Sequence, residues 1–312
     1  NKAVAASVDS SAVYCWAHPL TGGKQVVAES WRNLISVGAN PIALTNCLNF
    51  GSPENEDNMG EFVECVQGIG EASKYLNFPV VSGNVSFYNQ TKEVGIKPTP
   101  SIGGVGLIKD YKKMVTMDFK ETDNLVLIIG KTEGHIDQSL FARSILDEKN
   151  GPPPEVNLFN EKNNGESVLS LIEKDYIKSA HDVSLGGIIT AISKMSIKGN
   201  KGIKLKKSKN LINEIEYLFA EDQGRYILEV NKKAEDLLFR FIEDYRKRNS
   251  YPLSYKGFSS WSKPNMERTK LLGSSLEKEI KLLRRFKREI NGVFAAYTLL
   301  CRIKNELRNV NG

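Results

Sequence analysis

"VVSGNVSFYNQT", residues 80–91, begins as a run of β-formers, checks at Ser82-Gly83-Asn84, resumes, and stops again at Asn89-Gln90-Thr91. The small polar residues at the break decide how the chain is read. Gly83 lets backbone N–H groups come close to a ligand and permits positive φ. Asn84 and Ser86, two apart in an extended segment, point to the same side. An amide oxygen is a hard ligand suited to Mg2+, and a hydroxyl can donate to a phosphate. The stretch therefore fits a nucleotide phosphate held through a metal. The same residues also fit a plain hairpin with Asx-turn chemistry.

Working outward, "TNCLNFGSPEN" (45–55) repeats the composition, with Thr45, Asn46, Asn49, Gly51 and Ser52 following a buried strand expected over Pro41–Leu48. Before it, Val26, Val27, Trp31, Leu34 and Ile35 form one helical stripe over residues 22–38, closed by Gly38 as a C-cap. A second helix is expected from Gly60 to Leu76, burying Phe62, Val63, Val66, Ile69 and Tyr75. "FPVVSG" and "SIGGVGLI" read as further strands. Strands alternating with helices make an α/β (α+β) unit. In such folds ligands gather beyond the carboxyl ends of strands, so the two polar turns would line one crevice.

A break falls near residue 117, giving expected domains at 1–117 and 118–258. The second holds a buried strand in "NLVLIIG", a polar linker at "PPPE" (152–155), a helix near 166–178, the motif "HDVSLGG" (181–187) and a strand in "GRYILEV". Ser184 is expected to cap a helix opening at Leu185. With Asp182, Gly186 and Gly187 it forms a second candidate phosphate site, because free amides at a helix start attract anions. His181 beside Asp182 reads as a structural pair. Glu221 and Arg225 in "FAEDQGR" read as a solvated turn. There is no P-loop, no G-x-G-x-x-G and no Ser/His/Asp or Cys/His arrangement, so no catalytic residue is assigned.

The totals bound the classes. The chain has 312 residues, 40% hydrophobic and 26% charged, as expected of a packed globular protein. No long apolar run suggests a membrane span, and the N-terminus lacks the order of a signal peptide, so the expected compartment is the cytoplasm. A start at Asn1 without Met suggests a fragment or a processed chain. Cys15, Cys47, Cys65 and Cys301 are scattered, which points to reduced, mostly buried thiols rather than zinc or disulfides. Of the net charge of +6, residues 261–312 supply a surplus, with 12 Lys/Arg against 5 Asp/Glu. The main body is nearly neutral, so a nucleic-acid partner is not expected. Residues 259–312 read as a basic helical tail, with Ser274 as N-cap and Leu276, Ile280, Leu283, Phe286 and Ile290 on one stripe.

At these motifs the sequence resembles phosphoribosylformylglycinamidine synthase, of the aminoimidazole ribonucleotide synthetase-like superfamily. The matching tracts run in order: "VVAESWRNLISVGANPIALTNCLNFGSPEN", "PVVSGNVSFYNQT", "IKPTPSIGGVGLI", "HDVSLGGI" and "LFAEDQGRYILEV". They cover roughly residues 3–250 and resemble the second of the enzyme's two homologous halves. The resemblance implies two α/β domains with mixed sheets flanked by helices, paired through their N-terminal domains. It places Asn46 and Gly83 at ATP contacts, Asn84 at a Mg2+ ligand and Ser86 near the substrate, formylglycinamide ribonucleotide. It implies an ATP-dependent ligase of purine biosynthesis: ATP phosphorylates the substrate's amide oxygen, and ammonia from glutamine displaces phosphate. The implied partners are the missing N-terminal half or a second copy, a glutaminase subunit and a small bridging subunit; without the first half this chain is expected to be inactive. Two departures stand out: Asn46 where relatives often have Asp, and "SSAV" after Asp9 where an Asn-Pro-Arg-like run is common. A non-catalytic nucleotide-binding half-module, or another ATP-using member of the superfamily, are the alternative readings.

Overall fold

A computed structural model describes residues 1–122, 124–203, 205, 213–231, 234 and 237. The basic tail expected at 259–312 lies outside them, as does the end of the domain expected at 118–258. The chain groups into two compact units, Asn1–Met114 with Lys149–Ser170, and Val115–Glu148 with the described residues from Leu171 onward.

The first unit begins with β1 (Ala3–Ser10), α1 (Ala12–Ala17), α2 (Pro19–Ser36), β2 (Asn40–Asn49) and α3 (Glu56–Tyr75). β3 (Val80–Ser86), the short β4 (Gln90–Thr91) and β5 (Val94–Gly95), and β6 (Thr99–Ile108) complete its strands. β1, β6, β2 and β3 lie side by side in that order, with β2 and β3 parallel and the other pairs antiparallel. β1 and β6 alternate in burial along their length, so one sheet face is covered. α2 lies against β1 and β6 on that face, and α3 packs on α2. The stripe read on α2 is buried as expected: Val26, Val27, Trp31, Leu34 and Ile35 are all in the core. Gly38, at φ +83°, follows its end as the left-handed cap residue.

α3 corrects the expected face. Its buried residues are Cys65, Gly68, Ile69, Ala72 and Ser73, whereas Val63, Val66 and Tyr75 are exposed and Phe62 is half-buried. Two stripes meet at Ile69, and close packing against α2 selects the one with small side chains. The "PPPE" stretch, expected as a polar linker, packs into the first unit. Pro153, Pro154 and Val156 are buried, and residues 149–170 belong to the first unit. They lead into α4 (Leu158–Glu173), whose Glu161 forms an ion pair at 2.6 Å with Arg32 of α2, both side chains essentially inaccessible. A charge pair buried this deeply ties α4 to α2, because either partner alone would be left unsolvated.

In the second unit, β7 (Leu125–Ile129), β9 (Arg225–Val230) and β8 (Ile177–Val183) form an antiparallel sheet with β9 in the middle. The helix expected to reach residue 178 ends at Glu173; Asp175 turns the chain at φ +58° and β8 follows. α5 (Gly187–Gly199) packs Ile188, Ala191, Ile192 and Met195 against Val183, Ile227 and Phe119. Each buried Ile or Met side chain contributes about 1.5–3 kcal/mol. α6 (Glu214–Phe219) adds Phe219, stacked on Phe141 with ring centroids 4.6 Å apart.

The buried Glu229 carboxylate of β9 accepts from Lys120 N (2.7 Å), Glu121 N (2.9 Å), Asn124 Nδ2 (2.7 Å) and Ser179 Oγ (2.8 Å). Four donors offset the cost of burying the charge and fasten the incoming segment to the sheet. Cys15 and Cys65 are buried free thiols; the thiol of Cys15 is pushed up by its hydrogen bond with Cys65 and by burial. Two of the three described cysteines are thus buried, as expected of most of them, and Cys47 is exposed because it faces away from the helices on β2. No helix among the described residues is long and apolar enough to cross a membrane.

Candidate functional site

The two polar turns do meet. β2 and β3 run parallel with Asn46 opposite Gly83, Cys47 opposite Asn84 and Asn49 opposite Ser86, so both strands end at the same place. Beyond that end the backbones are zipped together: Phe50 N donates to Ser86 O (3.0 Å), Tyr88 N to Gly51 O (3.1 Å) and Asn89 N to Phe50 O (3.1 Å). Phe62 of α3 stands edge-on to both Phe50 and Phe87, with centroids 5.2 and 5.1 Å apart, and supports the two turns from below.

The interruption read at Ser82-Gly83-Asn84 is absent: β3 is continuous from Val80 to Ser86. Small polar side chains occur there because β3 is an edge strand, exposed over nearly its whole length. Gly83 is required for a different reason. A Cβ on it would stand 2.1 Å from Asn46 Oδ1, so the Asn46 side chain occupies the space a larger residue would need.

Strand alternation then splits the four residues. Asn46 and Gly83 share the sheet face that also carries Leu44 and Leu48, while Asn84 and Ser86 share the opposite face with Cys47 and Asn49. On that outer face Asn84 Nδ2 approaches Cys47 Sγ at 3.9 Å, and Asn49 Nδ2 donates to Thr99 O at 3.2 Å. The expected single loop is thus a strand end with polar groups on both sides.

Residues not singled out from the sequence complete the turn. Asn89 donates from Nδ2 to Ser86 O (2.9 Å) and Phe50 O (3.0 Å) and lies within reach of the Ser86 hydroxyl. Asn58 Nδ2 donates to Ser52 O at 3.2 Å. Tyr88 holds φ +59°, a conformation costing a bulky residue about 1 kcal/mol, and its hydroxyl donates to Glu54 Oε1 at 3.3 Å. The charge of Glu54 raises the Tyr88 phenol. Glu61 on α3 is also raised, by burial and then by Asp57. A non-glycine residue held at positive φ beside an exposed strand end was the available signal, and it is a backbone feature that composition does not print.

The second candidate, "HDVSLGG", is differently built. Ser184 does not cap α5: the helix starts at Gly187 with Gly186, at φ +81°, as its N-cap, and the Ser184 carbonyl accepts from Gly187 N at 3.0 Å. The Gly186 amide is already engaged by Glu221 Oε1 at 2.7 Å, which also accepts from Leu140 N at 2.8 Å. Asp222 accepts from the amides of Glu133 (2.9 Å), Gly134 (3.1 Å) and His135 (3.2 Å). Arg225 donates to Asp222 O (2.8 Å), Ala220 O (2.7 Å) and Thr132 Oγ1 (3.1 Å). Glu221, Asp222 and Arg225 are 1%, 6% and 0% exposed, so the turn read as solvated is a buried knot that fixes the 130–140 loop and the start of α5. His181 Nδ1 lies 2.9 Å from Asp182 Oδ1, the structural pair expected for them.

As a metal site the outer face offers neutral oxygens, the Asn84 amide oxygen among them, rather than a cluster of charged ligands; among the described residues no group of three or more His, Cys, Asp or Glu could hold an ion. That fits a Mg2+ ion taking its other ligands from phosphate and water, the usual coordination for this cation beside a nucleotide.

Two family matches cover most of the chain: the AIR synthase related protein N-terminal domain over residues 1–108 and the corresponding C-terminal domain over 121–251. Phosphoribosylformylglycinamidine synthase subunit PurL of Pelagibacter ubique is 82% identical over 232 residues, 74% of this chain and 32% of the relative. The same subunit of Azorhizobium caulinodans is 48% identical over 236 residues, 75% of this chain and 32% of its own length. The chain therefore spans about a third of the length of the curated relatives it matches. Among solved structures, Thermotoga maritima PurL complexed with FGAR superposes with TM-score 0.65 at 18% identity, covering 78% of this chain and 40% of that one. A chain of a HypE–HypF complex reaches 0.56 at 16% identity over 86% of this chain and 82% of that one. At such identities these likenesses show the two-domain fold.

Proposed function

This chain belongs to the AIR synthase related proteins, and from that premise we propose that it is part of a phosphoribosylformylglycinamidine synthase, carrying half of an ATP-dependent ligase site. The observation that carries the reading is the shared end of β2 and β3, which sets Asn46 beside Gly83 on one sheet face and Asn84 and Ser86 on the other, with β3 exposed as the edge strand. Curated relatives between 45% and 82% identical, all of one subunit, support it over other ATP-using members of the superfamily. The T. maritima relative has been seen with ATP and with FGAR, which supports both as ligands here.

In the proposed reaction ATP phosphorylates the amide oxygen of formylglycinamide ribonucleotide, and ammonia from glutamine displaces the phosphate. Neither step requires a nucleophile from this chain. Asn46 and Gly83 receive the nucleotide, Asn84 offers one oxygen to Mg2+, and Ser86 meets the ribonucleotide. Mg2+, when bound, offsets charge on the transferred phosphoryl group. The exposed strand lets a partner close over the site and exclude water. "HDVSLGG" with Asp182, Ser184, Gly186 and Gly187 stands as a secondary phosphate contact, with the Gly186 amide already engaged by Glu221.

Partners follow from the sheet. Val4 and Val8 on edge strand β1 are 72% and 80% exposed, and Val81 and Val85 on the other edge strand are exposed as well. Open apolar edges of this kind seek pairing. The missing first half of the synthase fits that need, as does a second copy, with glutaminase and bridging subunits as further members of a cytoplasmic assembly. The solved T. maritima PurLQS structure supports such an assembly.

The test is reconstitution: this chain mixed with a separately produced first half, assayed for phosphate release that requires ATP, Mg2+, formylglycinamide ribonucleotide and ammonia together. Turnover in the mixture and in neither part alone is the expected result. Stable association without turnover would leave a structural half-module in its place.

A further inference from the structure

Asn89 reaches Ser86 Oγ twice over, from Nδ2 at 3.2 Å and from Oδ1 at 3.3 Å. The two hydrogens of Nδ2 have closer acceptors in Ser86 O at 2.9 Å and Phe50 O at 3.0 Å. Turning the amide over would set Oδ1 against those two carbonyl oxygens with no hydrogen between them, so the bonding itself fixes its orientation. The one hydrogen of the Ser86 hydroxyl then goes to Asn89 Oδ1, and its lone pairs are what remain for a ligand. The left-handed turn at Tyr88 and the bond from Ile96 N to Asn89 O at 2.9 Å hold the amide in this place.

We propose that Asn89 is a positioning residue that makes Ser86 a hydrogen-bond acceptor, so that the group Ser86 meets is an N–H of the formylglycinamide moiety rather than a phosphate oxygen. The inference rests on the functional reading above and deepens it. A phosphate oxygen brings no hydrogen to an acceptor, whereas the substrate's amides do. Asn89 itself need not touch the ligand.

Calorimetric titration of the full chain with formylglycinamide ribonucleotide and with ribose 5-phosphate tests this. Ser86→Ala is expected to weaken the ribonucleotide about 10-fold, the worth of one well-placed hydrogen bond, and to leave ribose 5-phosphate unchanged. Ser86→Thr should restore most of the loss. Asn89→Ala should weaken the ribonucleotide about 5-fold by releasing the hydroxyl, again sparing ribose 5-phosphate. Equal losses for both ligands in Ser86→Ala would overturn the proposal, since Ser86 would then be donating to phosphate. If the unmodified chain binds neither ligand, the functional reading fails and a urea-unfolding cycle of Ser86→Ala, Asn89→Ala and the double variant still decides the pairing. Coupling of at least about 3-fold in the unfolding constant supports it, and additive effects overturn it.

Discussion

The end of β3 and the knot at residues 219–225 look alike as text, each a strand boundary with glycine and small or charged polar residues, and the fold treats them in opposite ways. Around β3 the polar groups lie at an exposed edge, where the Asn84 amide approaches the Cys47 sulfur at 3.9 Å. At the knot every carboxylate named is buried and already receives backbone amides. Polar residues that satisfy one another build the scaffold, and polar residues left at an open strand end are available to a ligand. Burial separates the two roles, and burial is what a single sequence prints least clearly.

The largest test of that contrast is Asp222→Ala. Three backbone amides and the buried Arg225 would lose a partner, and a loss of about 3–5 kcal/mol in urea unfolding is expected. Asn84→Ala, on the exposed face, should change stability by less than about 0.5 kcal/mol. Similar costs at the two positions would remove the distinction.

Gly83→Ala comes next. Its Cβ would lie 2.1 Å from Asn46 Oδ1, so about 1–3 kcal/mol of overpacking is expected in the same assay. Removing the opposing side chain with Asn46→Gly should recover most of it. Failure of the second change to rescue the first would mean that Gly83 answers to something other than Asn46.

The smallest effect concerns pH. Burial would raise the Asp118 carboxyl, but hydrogen bonds from Lys120 Nζ at 2.7 Å and Thr116 Oγ1 at 2.5 Å outweigh it and hold the group at about 2. A carboxyl lowered in the folded state stabilises above its ordinary value of 3.8 and loses that contribution as pH falls toward about 2. Because the pair is partly solvated the gain is modest. Asp118→Asn should flatten the decline in melting temperature between those two values, and an unchanged slope would show the contacts to be idle.

Much of the architecture was legible. The α2 stripe, its Gly38 cap, the strand at 41–48 and the helix-then-strand order all follow from periodicity and punctuation. α3 was misread because two stripes overlap on it, and its partner α2 selects the one with Cys65, Gly68 and Ala72, which hydrophobicity ranks below Val63 and Val66. The solvated reading of Glu221 and Arg225 failed because two carboxylates and an arginine carry no sign of being buried together. The break imagined in β3 was a parallel edge strand with a glycine beneath an asparagine. Motif order pointed to Asn46, Gly83, Asn84 and Ser86, which the parallel pairing of β2 with β3 brings side by side, whereas the contacts of Asn89 and Tyr88 emerged from hydrogen bonds and a backbone angle.

The most direct test of the central claim is amide hydrogen exchange on this chain with and without ATP and Mg2+. The account predicts slowed exchange across residues 80–96 that requires the metal and disappears in Asn84→Ala, with residues 219–225 unchanged. Protection confined to residues 181–187 and 219–225, with 80–96 unaffected, would contradict it.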